Sequence, residues 1–119
     1  MATIHIKGLF LRAYLGFSEH ELDKLQDVVI DIRMEYDSVH AEESDDPNDA
    51  LDYKLITKKI VTLVEHGHFN LIEALARKVL NVVMADDRVL QATVEIAKPH
   101  ALRFADSVQV GLTAFRNGK

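Results

Sequence analysis

The fold is decided by the stretch of sequence DVVIDIRMEY, which runs from Asp27 to Tyr36. Its residues alternate between an apolar set, Val28, Ile30, Ile32, Met34 and Tyr36, and a polar set, Asp27, Asp31, Arg33 and Glu35. Successive side chains of a strand point to opposite faces, so this alternation predicts a strand with one buried face. The chain is therefore expected to build a sheet that is covered on one side.

A second predicted strand precedes this one, over residues 3–16, and it changes phase part-way along. Ile4 and Ile6 share one face, whereas the apolar residues after Gly8 fall in the other phase: Leu9, Leu11, Ala13 and Leu15. A slip of one residue reverses the two faces of a strand. We therefore predict a β-bulge near Gly8, where one extra residue restores the buried face.

Two helices are predicted after the strands. The acidic stretch from Asp37 to Asp52 contains Pro47 and is expected to be a solvated loop. Helical spacing then relates Ile56, Ile60, Leu63 and Val64, with Gly67 as the stop signal. A second helix is predicted to open at Asn70 and to end near Asp86 and Asp87, with a broad apolar face formed by Leu71, Ile72, Leu75, Ala76, Val79, Leu80 and Val83.

Two further strands are predicted to close the chain. Leu90, Ala92, Val94 and Ile96 share one phase, which Lys98 continues just before Pro99, and Val108, Val110, Leu112 and Ala114 form the last strand. The order ββααββ predicts a single α+β domain over residues 1–119, with an antiparallel four-stranded sheet and both helices on one face. Such a sheet leaves two long edges, so association into a closed multi-subunit barrel is expected.

Composition narrows the possible functions. The 119 residues are 48% hydrophobic and 28% charged, as in an ordinary soluble globule, and include no cysteine, which excludes disulfides and thiolate metal sites. The net charge of −5 argues against a nucleic-acid partner, and no apolar run is long enough for a membrane helix. The first residues do not resemble a signal peptide. A cytoplasmic protein with a small-molecule substrate is expected.

Two charged residues lie close to apolar elements. Lys98 continues the buried phase of its strand. Its aliphatic stem can pass along apolar surface while the amine reaches water. Alternatively, the amine can lie in a partly dry pocket suited to proton transfer. Glu73 lies three residues after Asn70, where it can cap the helix. Alternatively, its carboxylate can accept paired hydrogen bonds from a flat amidine-like edge.

Other polar residues are less distinctive. Tyr53 at the start of the first helix is typical of a packing residue with a wet hydroxyl, and Glu21 lies in a polar turn. His66 and His68 flank Gly67 and resemble the His-Gly-His of zinc-dependent pyruvoyl-tetrahydropterin synthases. A helix end also favours cationic side chains, however, and the third histidine of that family has no match here. No metal site is therefore expected.

Four short stretches together resemble the dihydroneopterin aldolase family over nearly the whole chain. They are Gly16-Phe17-Ser18-Glu19-His20-Glu21 followed by Gln26, Ala50-Leu51-Asp52-Tyr53, Phe69-Asn70-Leu71-Ile72-Glu73-Ala74-Leu75-Ala76, and Ile96-Ala97-Lys98-Pro99-His100-Ala101-Leu102. Each is weak alone, but their order and spacing make the set specific. The segments 98–108 and 26–30 are most similar to the epimerase branch, whereas residues 73–76 are more similar to the aldolases.

The resemblance implies the tunnelling fold, in which subunits form four-membered rings around a strand barrel, often stacked as octamers. It also implies active sites between neighbouring subunits, without a cofactor. Carried over by position, Lys98 would be the acid/base, Tyr53 would assist proton transfer, and Glu21 would hold side-chain hydroxyls or a water from across the interface. Glu73 would anchor the amino-pyrimidine edge of the pterin, helped by backbone groups at Ile72 and around Leu51 and Asp52.

The activity implied is retro-aldol cleavage of dihydroneopterin to hydroxymethyl-dihydropterin and glycolaldehyde, epimerisation to dihydromonapterin, or both. The dihydropterin ring already contains an imine that can take up the electrons released by cleavage, so neither a lysine Schiff base nor a metal is required. The sequence leaves open a dedicated dihydroneopterin triphosphate epimerase. A zinc-dependent synthase and a non-catalytic pterin-binding module also remain as alternatives.

Overall fold

The chain is described over residues 1–118 by a computed structural model, so Lys119, the last residue of the predicted domain, lies outside the described residues. The strands are β1 (Ala2–Leu15), β2 (Leu25–Tyr36), β3 (His68–Phe69), β4 (Val89–Lys98) and β5 (Val108–Phe115). The helices are α1 (Val39–Ser44), α2 (Tyr53–His66) and α3 (Ile72–Met84), with short 3₁₀ turns at Pro47–Asp49 and Arg116–Gly118. None of the helices within residues 1–118 is long and apolar enough to cross a membrane.

The strands form one five-stranded sheet in the order β3-β1-β2-β4-β5. The predicted α+β class is confirmed, and the four predicted strands pair antiparallel as expected. The prediction of a four-stranded, wholly antiparallel sheet was wrong in one respect, because β3 adds a short parallel pair in which Tyr14 faces His68 and Leu15 faces Phe69. A two-residue strand is too short to show any alternation in sequence.

The bulge predicted near Gly8 is confirmed. The register between β1 and β2 shifts between Ile6 and Leu9, and Gly8 adopts a φ of 63°, a left-handed conformation that suits glycine. The Gly8 amide donates to Oδ1 of Asp31 at 2.7 Å, so a side chain of the neighbouring strand satisfies it. The extra residue keeps the apolar side chains on both halves of β1 directed toward the core.

The core lies between the sheet and helices α2 and α3. The predicted apolar residues of β2 are all buried there, and so are Ile56, Ile60 and Val64 of α2 and Leu75, Ala76, Val79, Leu80 and Val83 of α3. Leu71 was wrongly assigned to this face, because it is the residue before α3 and is 48% exposed. Leu90 was wrongly assigned as well: a register shift beside Tyr36 gives the buried position to Val89.

The acidic segment that was predicted as a loop contains a short helix and a 3₁₀ turn. Residues 39–44 form α1, which buries none of its side chains, and the Ser38 hydroxyl lies 2.5 Å from Oε2 of Glu42. The side chain of Asp46 accepts the Asn48 amide at 3.0 Å and caps the turn that begins at Pro47. The prediction of a loop was therefore wrong in conformation, because local side-chain hydrogen bonds, such as those of Ser38 and Asp46, replace the missing apolar pattern.

Arg116 ties the end of β5 to the turn between α3 and β4, which the sequence did not indicate. Its Nη2 donates to the carbonyl oxygens of Met84, Asp86 and Val89 at 2.8, 2.8 and 2.7 Å. Carbonyl groups at the end of a helix have no partner inside the helix, and a guanidinium can serve several of them at once. The contact holds the last strand against the helical layer.

Candidate active site

A cleft of about 440 Å³ lies at one end of the sheet, where β1 and β4 end and α3 begins. Its lining is Leu15, Gly16, Phe17, Glu21, Asn70, Leu71, Ile72, Glu73, Lys98, Ala101, Leu102 and Val108. The cleft thus brings together Glu21, Ile72, Glu73 and Lys98, which are far apart in sequence. Apolar walls with a few converging charged groups are typical of a small-molecule site.

Lys98 is the last residue of β4 and is only 9% exposed. Its side chain lies on the same face as Val94 and Ile96, as the alternation predicted. The ammonium group donates a hydrogen bond to Oε2 of Glu21. Of the two possibilities open from sequence, the structure favours the sheltered one, since the amine ends on a carboxylate rather than in open water.

Glu21 lies in the turn between β1 and β2, where its second carboxylate oxygen, Oε1, accepts the Ser18 hydroxyl at 3.0 Å. The hydrogen bond from Lys98 is the main cause that holds the pKa of Glu21 below its ordinary value, with help from Ser18 and against partial burial. The resemblance implied that Glu21 acts from across an interface. In the structure it contacts Lys98 of its own chain.

Glu73 lies in the first turn of α3 at the rim of the cleft. The predicted capping pair of Asn70 and Glu73 was wrong, because the cap residue is Leu71 and no side chain caps this helix. The Glu73 carboxylate is exposed and free of that structural task. Beside it, Ile72 begins the helix, and first-turn amides have no partner within a helix. A carboxylate and backbone donors therefore lie side by side at this rim.

Leu51, Asp52 and Tyr53 line a separate cleft of about 350 Å³. The described linings of the two clefts share no residue, so Tyr53 and Lys98 line different clefts of one chain. Asp52 caps α2 by accepting the Leu55 amide at 3.0 Å, and the Tyr53 side chain is 47% exposed. Sequence reasoning missed Arg88, whose guanidinium donates to the Ala50 carbonyl and fixes this segment.

The two histidines around Gly67 have separate partners. His66 Nδ1 lies 2.9 Å from the carbonyl oxygen of Thr62, one helical turn earlier. The ring of His68 stacks on Tyr14 with 4.4 Å between centroids. Among residues 1–118, no group of three or more histidine, cysteine, aspartate or glutamate side chains is arranged to hold a metal ion.

One family of known proteins matches nearly the whole chain. The profile of the family described as dihydroneopterin aldolase matches residues 4–113. The chain belongs to the dihydroneopterin aldolase family. The resemblance drawn from four short stretches of sequence is thereby confirmed. The family profile spans both clefts and every candidate site residue named above.

Members of both branches of the dihydroneopterin aldolase family are among the relatives. The dihydroneopterin triphosphate 2'-epimerase of Escherichia coli K12 is 44% identical over 112 residues, covering 94% of this chain and 93% of the relative. The dihydroneopterin aldolase of the same strain is 31% identical over 110 residues, covering 92% of this chain and 90% of the relative. The chain is thus more similar to this epimerase than to this aldolase.

The fold is shared with known structures of the dihydroneopterin aldolase family. The crystal structure of Escherichia coli dihydroneopterin aldolase in complex with neopterin superimposes with a TM-score of 0.90 at 30% identity, covering 96% of this chain and 99% of that one. This match confirms the predicted fold of a single subunit of the tunnelling fold. The added strand β3 changes the strand count but not the architecture.

Proposed function

We propose that this protein rearranges or cleaves the side chain of a dihydropterin, with Lys98 as the acid/base. The observation that carries the proposal is the sheltered pair of Lys98 and Glu21 at one side of a cleft whose rim carries Glu73. Proton transfer needs a positioned amine close to the reacting carbon, and recognition of a flat amidine edge needs an exposed carboxylate. Both groups line the same cleft, which suits a single small ligand.

The reaction requires little from the protein beyond proton transfer and orientation. Removal of a side-chain hydroxyl proton breaks the adjacent carbon–carbon bond, and the ring imine accepts the electron pair to give an enamine. Release of the aldehyde fragment and protonation of the enamine at the side-chain carbon complete cleavage, whereas rotation and return of the aldehyde give the epimer. The neutral amine of Lys98, directly or through a water, would take the hydroxyl proton, and the ammonium that forms, held in place by Glu21, would return it.

Glu73 and Ile72 form the proposed recognition rim. The Glu73 carboxylate would accept hydrogen bonds from the amino-pyrimidine edge, and the Ile72 amide at the start of α3 would donate to a ring acceptor. The neopterin complex of the Escherichia coli aldolase supports a pterin as the ligand class. The side chain of the bound pterin would then extend toward Lys98.

Epimerisation is the proposed main activity, because identity is 44% to the Escherichia coli epimerase and 31% to the aldolase. The test is product analysis with dihydroneopterin and with its triphosphate, separating hydroxymethyl-dihydropterin from dihydromonapterin. Epimer as the principal product supports this branch. Hydroxymethyl-dihydropterin and glycolaldehyde as principal products would instead identify an aldolase. Absence of turnover with tight pterin binding would favour the non-catalytic binding module.

We further propose that the complete site forms between two subunits of a cytoplasmic homo-tetramer or homo-octamer. Within residues 1–118, β1 is paired on its outer side only at Tyr14 and Leu15, and β5 pairs only with β4. Joining the free edge of β1 to β5 of the next copy would close a ring. The same contact would bring Tyr53, Asp52 and Leu51 of one copy toward Lys98 of its neighbour. In a single chain these residues and Lys98 line different clefts.

A mixing experiment tests the shared site. Lys98→Ala and Tyr53→Phe should each lose activity, but oligomers assembled from an equal mixture should regain it in about a quarter of their sites, where two intact halves meet. The measurement is turnover of the co-assembled mixture against the mean of the two separate variants. Activity no higher than that mean, with mixing verified by mass, would contradict a site shared between subunits.

We expect the enzyme to work without a metal ion. The proposed chemistry uses the ring imine as the electron sink, and His66 and His68 have other partners. Prolonged treatment with EDTA followed by gel filtration should leave turnover unchanged. Loss of activity that returns on addition of zinc would contradict this prediction and favour a synthase of the zinc-dependent kind.

A further inference from the structure

Gly16 is the point at which the chain leaves β1, and its missing side chain leaves space for Glu21. Gly16 has a φ of 127°, and its amide donates to the Phe69 carbonyl at 2.9 Å, which fixes it against β3. A methyl group built on Gly16 would overlap the carboxyl group of Glu21 and stand 2.6 Å from its Cβ. The Glu21 side chain therefore passes directly over the Gly16 backbone to reach Lys98.

Ser18 secures the same carboxylate from the other side. Its hydroxyl donates to Oε1 of Glu21 at 3.0 Å, and its carbonyl accepts the Glu21 amide at 3.0 Å, so the turn folds back on itself. Oε2 is left for the ammonium of Lys98. One carboxylate oxygen thus serves the turn and the other serves the proposed acid/base, which gives Glu21 a single orientation.

We propose that Gly16 and Ser18 are positioning residues that fix the Glu21 carboxylate on the Lys98 ammonium. Gly16 supplies the space in which the carboxylate stands, and Ser18 supplies the hydrogen bond that orients it. The inference rests on the proposed function, because it takes Lys98 as the acid/base. Gly16 and Ser18 act through Glu21, so changing either should disturb proton transfer more than pterin binding.

Two variants test the proposal, with a matched glycine as control. Gly16→Ala should lower kcat about tenfold or more by displacing the carboxylate, and Ser18→Ala about fivefold by removing one hydrogen bond. Pterin Kd should stay within about threefold in both, because Glu73 and Ile72 are unchanged. The control is Gly8→Ala, which also places an alanine at a positive φ, of 63°. Its added methyl group meets no atom within 4 Å, so this variant should keep a normal kcat.

Two readouts separate positioning from a general loss of structure. The contact with Lys98 and the Ser18 hydroxyl hold the pKa of Glu21 down, so its carboxylate remains ionised to lower pH. Breaking either contact lets the pKa rise, and the acid limb of the kcat profile should move to higher pH. Ser18→Thr keeps a hydroxyl and should restore the wild-type limb. The variant Glu21→Gly has no carboxylate to displace. Adding Gly16→Ala to it should therefore lower kcat by less than about twofold further.

The decisive measurement does not depend on turnover. A succinimidyl ester should acylate Lys98 several-fold faster in Gly16→Ala and Ser18→Ala than in wild type or Gly8→Ala, because the amine is released from Glu21. Peptide mass spectrometry of the intact oligomer measures the rate. The proposal would be overturned if both variants showed the wild-type rate of Lys98 labelling and the wild-type acid limb of the kcat profile. If Gly16→Ala does not assemble, the result with Ser18→Ala decides. If labelling changes as expected but the wild-type protein does not turn over a pterin, the positioning role is upheld and the proposed function is contradicted.

Discussion

Replacement of Lys98 by alanine is expected to lower turnover by about a hundredfold or more, the usual loss when a positioned acid/base is removed. Pterin binding should change little, because the proposed recognition rim consists of Glu73 and Ile72 in the first turn of α3. Formation of dihydromonapterin and of hydroxymethyl-dihydropterin should fall together, since both begin with the same proton removal. The measurement is the rate of each product from dihydroneopterin, for variant and wild type.

Lys98→Met and Lys58→Ala serve as matched variants. Methionine retains an apolar stem in the sheltered position of Lys98, so a loss of turnover in Lys98→Met cannot be attributed to an empty space. Lys58 is exposed on α2, away from the described lining of both clefts, and Lys58→Ala should have wild-type rates. Near-normal formation of both products by assembled Lys98→Ala would contradict the assignment, and loss of only one would indicate two different bases.

The correctly predicted parts of the fold are those in which buried and exposed positions recur at a regular interval along a strand or helix. The alternation in β2 fixed its buried face, and the phase change in β1 located the bulge at Gly8 before any partner strand was known. The same rule directed Lys98 inward, because it continues the phase of Val94 and Ile96. Periodicity thus carries information about sites when a charged residue falls on an apolar face.

The errors arose where a neighbouring element decides the outcome. Leu90 has the apolar character of a core residue, but the register shift beside Tyr36 gives the buried position to Val89. Strand β3 exists because the chain before α3 runs alongside the end of β1, not because His68 and Phe69 have a strand pattern. Such effects depend on the tertiary arrangement, which local periodicity does not encode.

The structure brings three charged residues that the resemblance implied into one cleft, but the sequence did not predict their contacts. The resemblance gave Glu21, Glu73 and Lys98, but it assigned Glu21 to the opposite side of an interface, whereas the turn after β1 returns it to Lys98 of the same chain. The role proposed for Gly16 was not visible in the sequence either, because it depends on a φ of 127° and on the path of a side chain five positions later. Neither quantity can be read from the order of residues.

Glu73→Gln should weaken pterin binding by about 2 kcal/mol, a loss of about thirtyfold in Kd, because glutamine cannot accept two hydrogen bonds with a full charge. Glutamine has nearly the same size, so the shape of the rim is retained. The variant should bind the pterin weakly but turn over normally at saturation, since Lys98 and Glu21 are unchanged. Isothermal titration with neopterin measures the loss.

The cost of Glu73→Gln to folding should be small because Glu73 does not cap its helix. The cap residue is Leu71 and no side-chain capping bond forms, so only the favourable position of a negative charge in the first turn is lost. That loss is about 0.5 kcal/mol for an exposed group. Glu65→Gln, on the exposed side of α2, controls for loss of a surface charge and should leave Kd unchanged. A lower melting temperature of Glu73→Gln with unchanged neopterin affinity would show that Glu73 serves the helix and that the pterin edge is recognised elsewhere.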